Sequence, residues 1–274
     1  CAWLRHSFDW PRQGRQEMIQ NLYWHRIPSE TTLGALRELR WTRDGELSPA
    51  SSTVALMLYV ALHFIAENVL EEGPLGVPLT ARVAAASYDD LMHAIGGKSR
   101  SLVSQGLERL EQLKLITRVG SHQKRRYRLA NSQPGWFKLP CQAIVRSGVI
   151  LPFENFTLRS RHELHALKVY LYLAARRDNH KTYTLASYEK IAEHTGVPER
   201  YMRKALVALT LCGLLENIGR ERDAQGETAA YGPNAYYLRG HRQLFQSASG
   251  ASVTPETSPD SPPSPHRVST NALA

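Results

Sequence analysis

The sequence predicts an α+β chain, mainly α-helical with small β elements, built as two tandem copies of one unit and closed by a disordered tail. Three observations carry that expectation. Apolar residues recur at the i, i+3, i+4 spacing of amphipathic helices, in segments punctuated by glycine and proline. Marker residues return after one hundred positions: Ser87-Tyr88-Asp89 as Ser187-Tyr188-Glu189, Gly96 as Gly196 and Arg100 as Arg200, the mark of an internal repeat. After Phe245 the composition changes, with five prolines and seven serines in residues 246–274. Such a segment has too little apolar surface to offset the entropy of folding. At 274 residues and 42% hydrophobic content, the chain can bury one large core or two of ordinary size, and two domains are expected.

Residues 1–47 read as an N-terminal extension. Its tryptophans, Trp3, Trp10, Trp24 and Trp41, are scattered among arginines and are expected to pack on the first domain, with a dimer surface as the alternative. Thr32–Arg40 has the pattern of a short amphipathic helix. The first domain spans 48–131. Ser48-Pro49 marks a helix start, and the run from Ser52 to Glu72, ended by EEGPLGVP, predicts one long apolar helix. Arg82–Ala86 is a candidate short strand.

The stretch from Ser87 to Arg128 organises this domain. Ser87 suits a helix N-cap, with Asp89 and Asp90 in the first turn where the helix dipole favours carboxylates. Gly96-Gly97 stops that helix, because glycine takes the left-handed conformation of a helix end. A second helix follows over Lys98–Leu115. Leu102, Leu107, Leu110 and Leu113 lie on or near one stripe, while Lys98, Ser99, Arg100, Ser101, Ser104 and Gln105 occupy the first two turns. Ile116–Val119 and Tyr127–Leu129 alternate as two short strands around the polar, basic loop GSHQKRR. Between residues 98 and 128 nine Lys or Arg stand against two Glu, a balance of +7 beside the formal +9 of the whole chain. This order resembles a winged helix-turn-helix, with Lys98–Leu115 as recognition helix and Ser121–Arg126 as wing. The resemblance implies that the charged elements are those presented to DNA; a solvated basic face is the alternative reading.

The second copy, 159–245, opens on Arg161–Arg177 as its first helix. SYEKIAEHTG and VPERYMRKALVALTLCGLLEN supply its helix-turn-helix, with Pro198 at a helix start. Leu206 and Leu209 match Leu107 and Leu110 one residue out of step, so a length change is expected in the turn or helix start. Ile218–Arg222 and Ala235–Arg239 are its wing strands, around the longer and more acidic loop DAQGETAAYGPN. Residues 132–158 read as a linker or docking segment with one or two strands. Its apolar content, including Phe137, Ile144, Ile150 and Phe153, predicts domains held at a fixed angle.

Other chemistries find little support. GGKS at 96–99 resembles the end of a phosphate-binding loop, but the first glycine of that motif falls on Met92 and no strand precedes it. HELH at 162–165 lacks the HExxH spacing, and His162 and His165 are expected to be surface histidines rather than a metal pair. No serine or cysteine nucleophile has an evident partner, so neither an enzyme nor a cofactor is expected. Cys1, Cys141 and Cys212 are isolated, which suits a reducing cytoplasm. The chain opens on Cys1 rather than Met, so the native N-terminus is expected upstream. No membrane span is expected: the most apolar run, Val54–Ile65, is too short. A sequence pI near 9.6 favours a polyanionic partner, nucleic acid or an acidic membrane surface.

Two such units in one chain resemble the replication initiators of bacterial plasmids, over roughly residues 48–240 and in element order. The resemblance implies binding of double-stranded DNA at repeated origin sites, local duplex opening, recruitment of host replication proteins such as a helicase, and a homodimer that represses its own promoter. The matching contacts would be Lys98, Ser99, Arg100, Ser101, Ser104 and Gln105 in one major groove. In the next groove they would be Glu199, Arg200, Tyr201, Arg203 and Lys204. His122, Lys124, Arg125, Arg126 and Arg128 would hold phosphates or enter a minor groove. Truncating Arg100 or Arg203 is expected to relax specificity, and truncating Lys124 to weaken binding to every sequence alike. Two readings stand beside this one: a transcriptional regulator on an operator, and a winged-helix interaction module of a larger assembly.

Overall fold

The computed structural model describes residues 19, 22–72, 78–119, 125–130, 135–220 and 233–247, in a mixed α+β architecture. Strand β1 (Trp24–Pro28) leads into helix α1 (Ser29–Glu38), which α2 (Ala50–Ile65) follows. Every residue of α2 from Ser51 to Ile65 is buried, as a helix that is apolar all round requires. It stops at Ala66, short of the Glu72 expected from sequence. Glu67–Glu72 instead forms β2, paired antiparallel with β3 (Pro78–Ala85). ENVLEE fits a helix or a strand on propensity, and the partner strand's hydrogen bonds decide the matter. The strand expected near residues 82–86 is the end of β3.

Next come α3 (Tyr88–Ala94), α4 (Arg100–Gln112), β4 (Ile116–Val119) and β5 (Arg126–Leu129). β5 pairs with β4 on one side and β3 on the other, giving a sheet of order β2-β3-β5-β4. Tyr127 and Leu129 face the core while Arg126 and Arg128 stay exposed, the period-2 alternation of a half-buried strand.

β6 (Trp136–Pro140) crosses back to pair with β1, from Trp24↔Pro140 to Pro28↔Trp136. Trp24 and Trp136 stack at 6.1 Å across that pair, with Lys138 over the first ring and Arg26 over the second. A tight hairpin, β7 (Val145–Arg146) and β8 (Val149–Ile150), runs into the single turn α5 (Leu151–Glu154).

The second unit is α6 (Arg161–Ala175), β9 (Thr184–Ala186), α7 (Tyr188–Thr195), α8 (Glu199–Cys212), β10 (Leu215–Arg220) and β11 (Asn234–Leu238), followed by a 3-10 turn at His241–Phe245. β9, unforeseen in the sequence, pairs with β11 as β3 pairs with β5. Five residues separate α3 from α4 but three separate α7 from α8. The second helix thus begins one position earlier on the hundred-residue frame, and this accounts for the leucines out of step.

The buried apolar residues form one continuous cluster through both units. α2 packs on α4 and on α6, α6 carries α8, and α1 packs on α6 and α7. The residues read as an N-terminal extension therefore fill the junction: α1 lies against the second unit and β1 against the segment that follows the first. Behind β1, His63 is fully buried at the end of α2. Its Nδ1 faces the Arg82 guanidinium at 3.1 Å, so Nδ1 accepts and the proton sits on Nε2. Burial, with Arg82 beside it, holds this imidazole well below its usual range.

Cys141 and Cys212 are buried thiols outside any disulfide, pushed up to about 12 and about 11 by burial. Among the described residues no helix is long and apolar enough to cross a membrane. Trp3, Trp10, residues 120–124 and 221–232 of the two expected wings and the expected tail beyond Ser247 lie outside the described residues.

Candidate nucleic-acid interface

Local chemistry builds the first helix pair. The Ser87 hydroxyl accepts from the Asp90 backbone N–H at 3.2 Å, and the Asp90 carboxylate accepts from the Ser87 N–H at 3.0 Å, a reciprocal cap that sets the start of α3. Gly96 and Gly97 both have positive φ, +78° and +73°, which turns the chain tightly enough for Ser99 to cap α4 through the Leu102 N–H. Val103, Gly106, Leu107 and Leu110 face inward. Arg100, Ser101 and Ser104 are exposed on the opposite side.

Partners of the expected contact residues differ sharply. Arg100 reaches Asp89 at 3.5 Å and lies over the Tyr88 ring at 5.1 Å. Arg125, just before β5, lies over the same ring at 4.2 Å, and the Tyr88 hydroxyl stands 3.5 Å from Ser104 Oγ. Tyr88 is itself only 8% exposed. One buried tyrosine thus holds together an arginine of α4 and the arginine that precedes β5. Arg126 is exposed, and Arg128 pairs with Glu71 at 2.6 Å. His122 and Lys124 lie outside the described residues.

Two expected contacts hydrogen-bond within the fold. The Gln105 side-chain oxygen accepts from the Ser48 N–H and hydroxyl at 2.9 and 2.7 Å, tying α4 to the start of α2. The Lys98 ammonium donates to the Phe156 carbonyl at 2.7 Å and the Glu154 carbonyl at 3.4 Å. Burial lowers its affinity for the proton, and the nearby Glu163 and Glu154 carboxylates oppose that effect.

In the second unit Ser187 caps α7 through the Lys190 N–H, and Gly196 ends it at φ +67°. Met202, Ala205, Leu206 and Leu209 anchor α8, leaving Glu199, Arg200, Arg203 and Lys204 exposed. Tyr201 is half-buried, its ring 5.5 Å from those of both His162 and His165. Arg161 and Arg200 lie over that ring at 5.8 and 5.0 Å. Burial and then the neighbouring cations hold both imidazoles down, His165 to about 4. The expectation of surface histidines thus needs correction: His165 is buried and His162 is half-buried, because Tyr201 packs against both. Among the described residues no three His, Cys, Asp or Glu side chains converge on a metal-sized site. Arg161 was missed in the sequence; its signal was the basic residue opening the helix run RHELH.

Farther along α8 the surface turns apolar, with Val207 51% and Leu211 78% exposed. The starts of α4 and α8 meet opposite ends of one loop: Lys98 binds its Phe156 end, and Arg161 at its other end reaches Tyr201. Compared with known protein families, curated proteins and solved structures, the chain finds no match.

Proposed function

We propose that this chain binds double-stranded DNA sequence-specifically through two winged helix-turn-helix units in tandem, as an initiator of plasmid replication acting at repeated origin sites. The observation that carries the reading is the repeated helix, turn, helix and hairpin order, with one exposed cation on the first turns of the second helix in the first copy and three in the second. Arg100 in the first unit and Arg200, Arg203 and Lys204 in the second are the side chains assigned to base edges and adjacent phosphates. Arg125 and Arg126 are assigned to the phosphate backbone beside the first groove. Phe156 and Arg161 are five residues apart, at most roughly 18 Å of chain, so one short loop links the starts of both second helices. Host replication proteins and a second copy of the chain are the proposed protein partners, in a cytoplasmic, DNA-associated setting.

Selection from random duplex DNA tests this, followed by anisotropy of the selected site against scrambled DNA at several salt concentrations. The expected result is a two-segment site with the segments about one turn apart, preferred by roughly a thousandfold or more. Direct repeats in that site favour an initiator and a palindrome favours a transcriptional regulator. Equal, steeply salt-dependent binding to both duplexes refutes sequence reading. The exposed Val207 and Leu211 favour the second reading, an interaction module docking through α8, which predicts that DNA binding is weak at physiological salt.

A further inference from the structure

We propose that Lys98 and Glu163 are positioning residues that fix the spacing and angle at which the two helix-turn-helix units engage one duplex, an inference that rests on the tandem DNA-binding reading above. A continuous polar path joins the two units through residues 154–163. Its first link is Lys98, in the turn before α4, which donates to the carbonyls of Phe156 and Glu154. Beside it, Gly96 packs so closely that a Cβ there would sit 2.9 Å from the Glu154 backbone, so the turn seats directly on α5. His93, at the end of α3, makes a third tie, its Nε2 standing 3.1 Å from the Ser147 carbonyl at the tip of the β7–β8 hairpin.

The far end of the path belongs to the second unit. Glu163, in the first turn of α6, accepts from the Thr157 N–H at 2.6 Å, the Thr157 hydroxyl at 2.9 Å and the Leu158 N–H at 2.7 Å. One carboxylate thus closes the loop onto α6, two residues from Arg161 and its contact with Tyr201 of α8. The direct helix contacts between the units, chiefly α2 against α6, are largely apolar, while a second set of hydrogen bonds, Lys138 to the Leu244 carbonyl at 2.7 Å and Gln243 to Gln142 at 3.1 Å, holds the β6 segment to residues 241–247. Apolar packing is strong but non-directional, so it tolerates small rotations that directed hydrogen bonds exclude. The polar path lies at the end of the molecule where both second helices begin. A rotation of a few degrees about the α2–α6 contact therefore becomes a displacement at the proposed DNA face. Lys98 belongs to this path, which separates its role from that of the exposed Arg100 two residues away.

Rigid coupling concentrates both binding events at one geometry, whereas loose coupling spreads them over several. The test uses the full chain and the selected two-segment site, with one, two or five base pairs inserted between the segments, and each segment also presented alone. Wild type is expected to lose roughly tenfold or more in affinity at the first insertion, and Lys98→Met and Glu163→Gln to lose no more than about threefold. Single-segment binding stays unchanged in both variants, a pattern that general destabilisation does not produce. Glu163→Gln touches neither second helix and stands in if Lys98→Met does not fold. An insertion penalty equal to wild type in both folded variants overturns the proposal. So does an equal loss on single and double segments with Lys98→Met, which makes Lys98 a DNA contact. A wild-type protein indifferent to spacing overturns the tandem reading itself.

Discussion

Arg100 is the side chain whose removal separates sequence reading from simple charge. Its guanidinium is 65% exposed, 3.5 Å from an Asp89 carboxylate that is 76% exposed. An ion pair so open to water contributes only a few tenths of a kcal/mol, and Arg100→Ala is expected to keep the stability of the fold within about 0.5 kcal/mol. A guanidinium bidentate to guanine contributes about 1–3 kcal/mol of discrimination, or roughly 5- to 150-fold at ~1.4 kcal/mol per tenfold. Anisotropy with a labelled selected duplex and a labelled scrambled duplex, each over several salt concentrations, measures the two affinities. Arg100→Ala should lower their ratio by that factor while leaving the scrambled affinity within about threefold. Arg126→Ala is the control: both affinities fall together, and the salt slope decreases by about 0.9. An equal loss on both duplexes with Arg100→Ala would refute the assignment of Arg100 to base reading.

Three further outcomes follow from the packing. Tyr88 carries Arg100 and Arg125 on one ring, so Tyr88→Phe should hold DNA affinity within about twofold while Tyr88→Leu, losing two cation–π contacts of about 0.5–1 kcal/mol each, weakens it several-fold; identical affinities in folded variants would remove the ring from the site. At Gly106 an added methyl meets Leu58 and Val54 side chains at 2.8 Å. Gly106→Ala should therefore cost about 1–3 kcal/mol by overpacking in spite of its better helix propensity, and a raised melting temperature would contradict that. Lys168 is 3% exposed, donates to the Thr195 carbonyl at 3.0 Å and is drawn down to about 8 from the ordinary 10.5, by burial first and then Arg40. The unfolded chain keeps this proton to higher pH than the folded one, so stability rises between pH 8 and 10.5 and the charge costs about 3 kcal/mol at pH 7. Lys168→Met should then be more stable at pH 7, by about 1–2 kcal/mol once the orphaned carbonyl is counted, and should lose that alkaline rise; urea midpoints at pH 7 and 10 decide it.

Much of the local structure was legible because it is encoded within one or two helical turns. Ser87 and Ser187 are caps because a hydroxyl there reaches an N–H three residues on, and Gly96 and Gly196 stop helices because they adopt positive φ. Strand β2 was misread because its partner, β3, was needed to choose strand over helix. β9 was missed because three residues carry too little pattern to declare a strand without β11 beside them. Lys98 and Gln105 sit at positions that a helical wheel assigns to solvent. What draws them back onto the fold are Phe156 and Ser48, fifty-eight and fifty-seven residues away.

The sequence by itself determined the repeat, the caps, the breaks and the faces of the helices, since periodicity and backbone preference act between near neighbours. Tertiary structure alone decided that residues 24–38 form the junction of the two units rather than an extension, through β1 pairing with β6 and α1 packing on α6. It also decided which cations stay exposed and which are bound within the fold. That distinction depends on carbonyls and carboxylates brought close by chain closure over many tens of residues, and no local pattern records such closure.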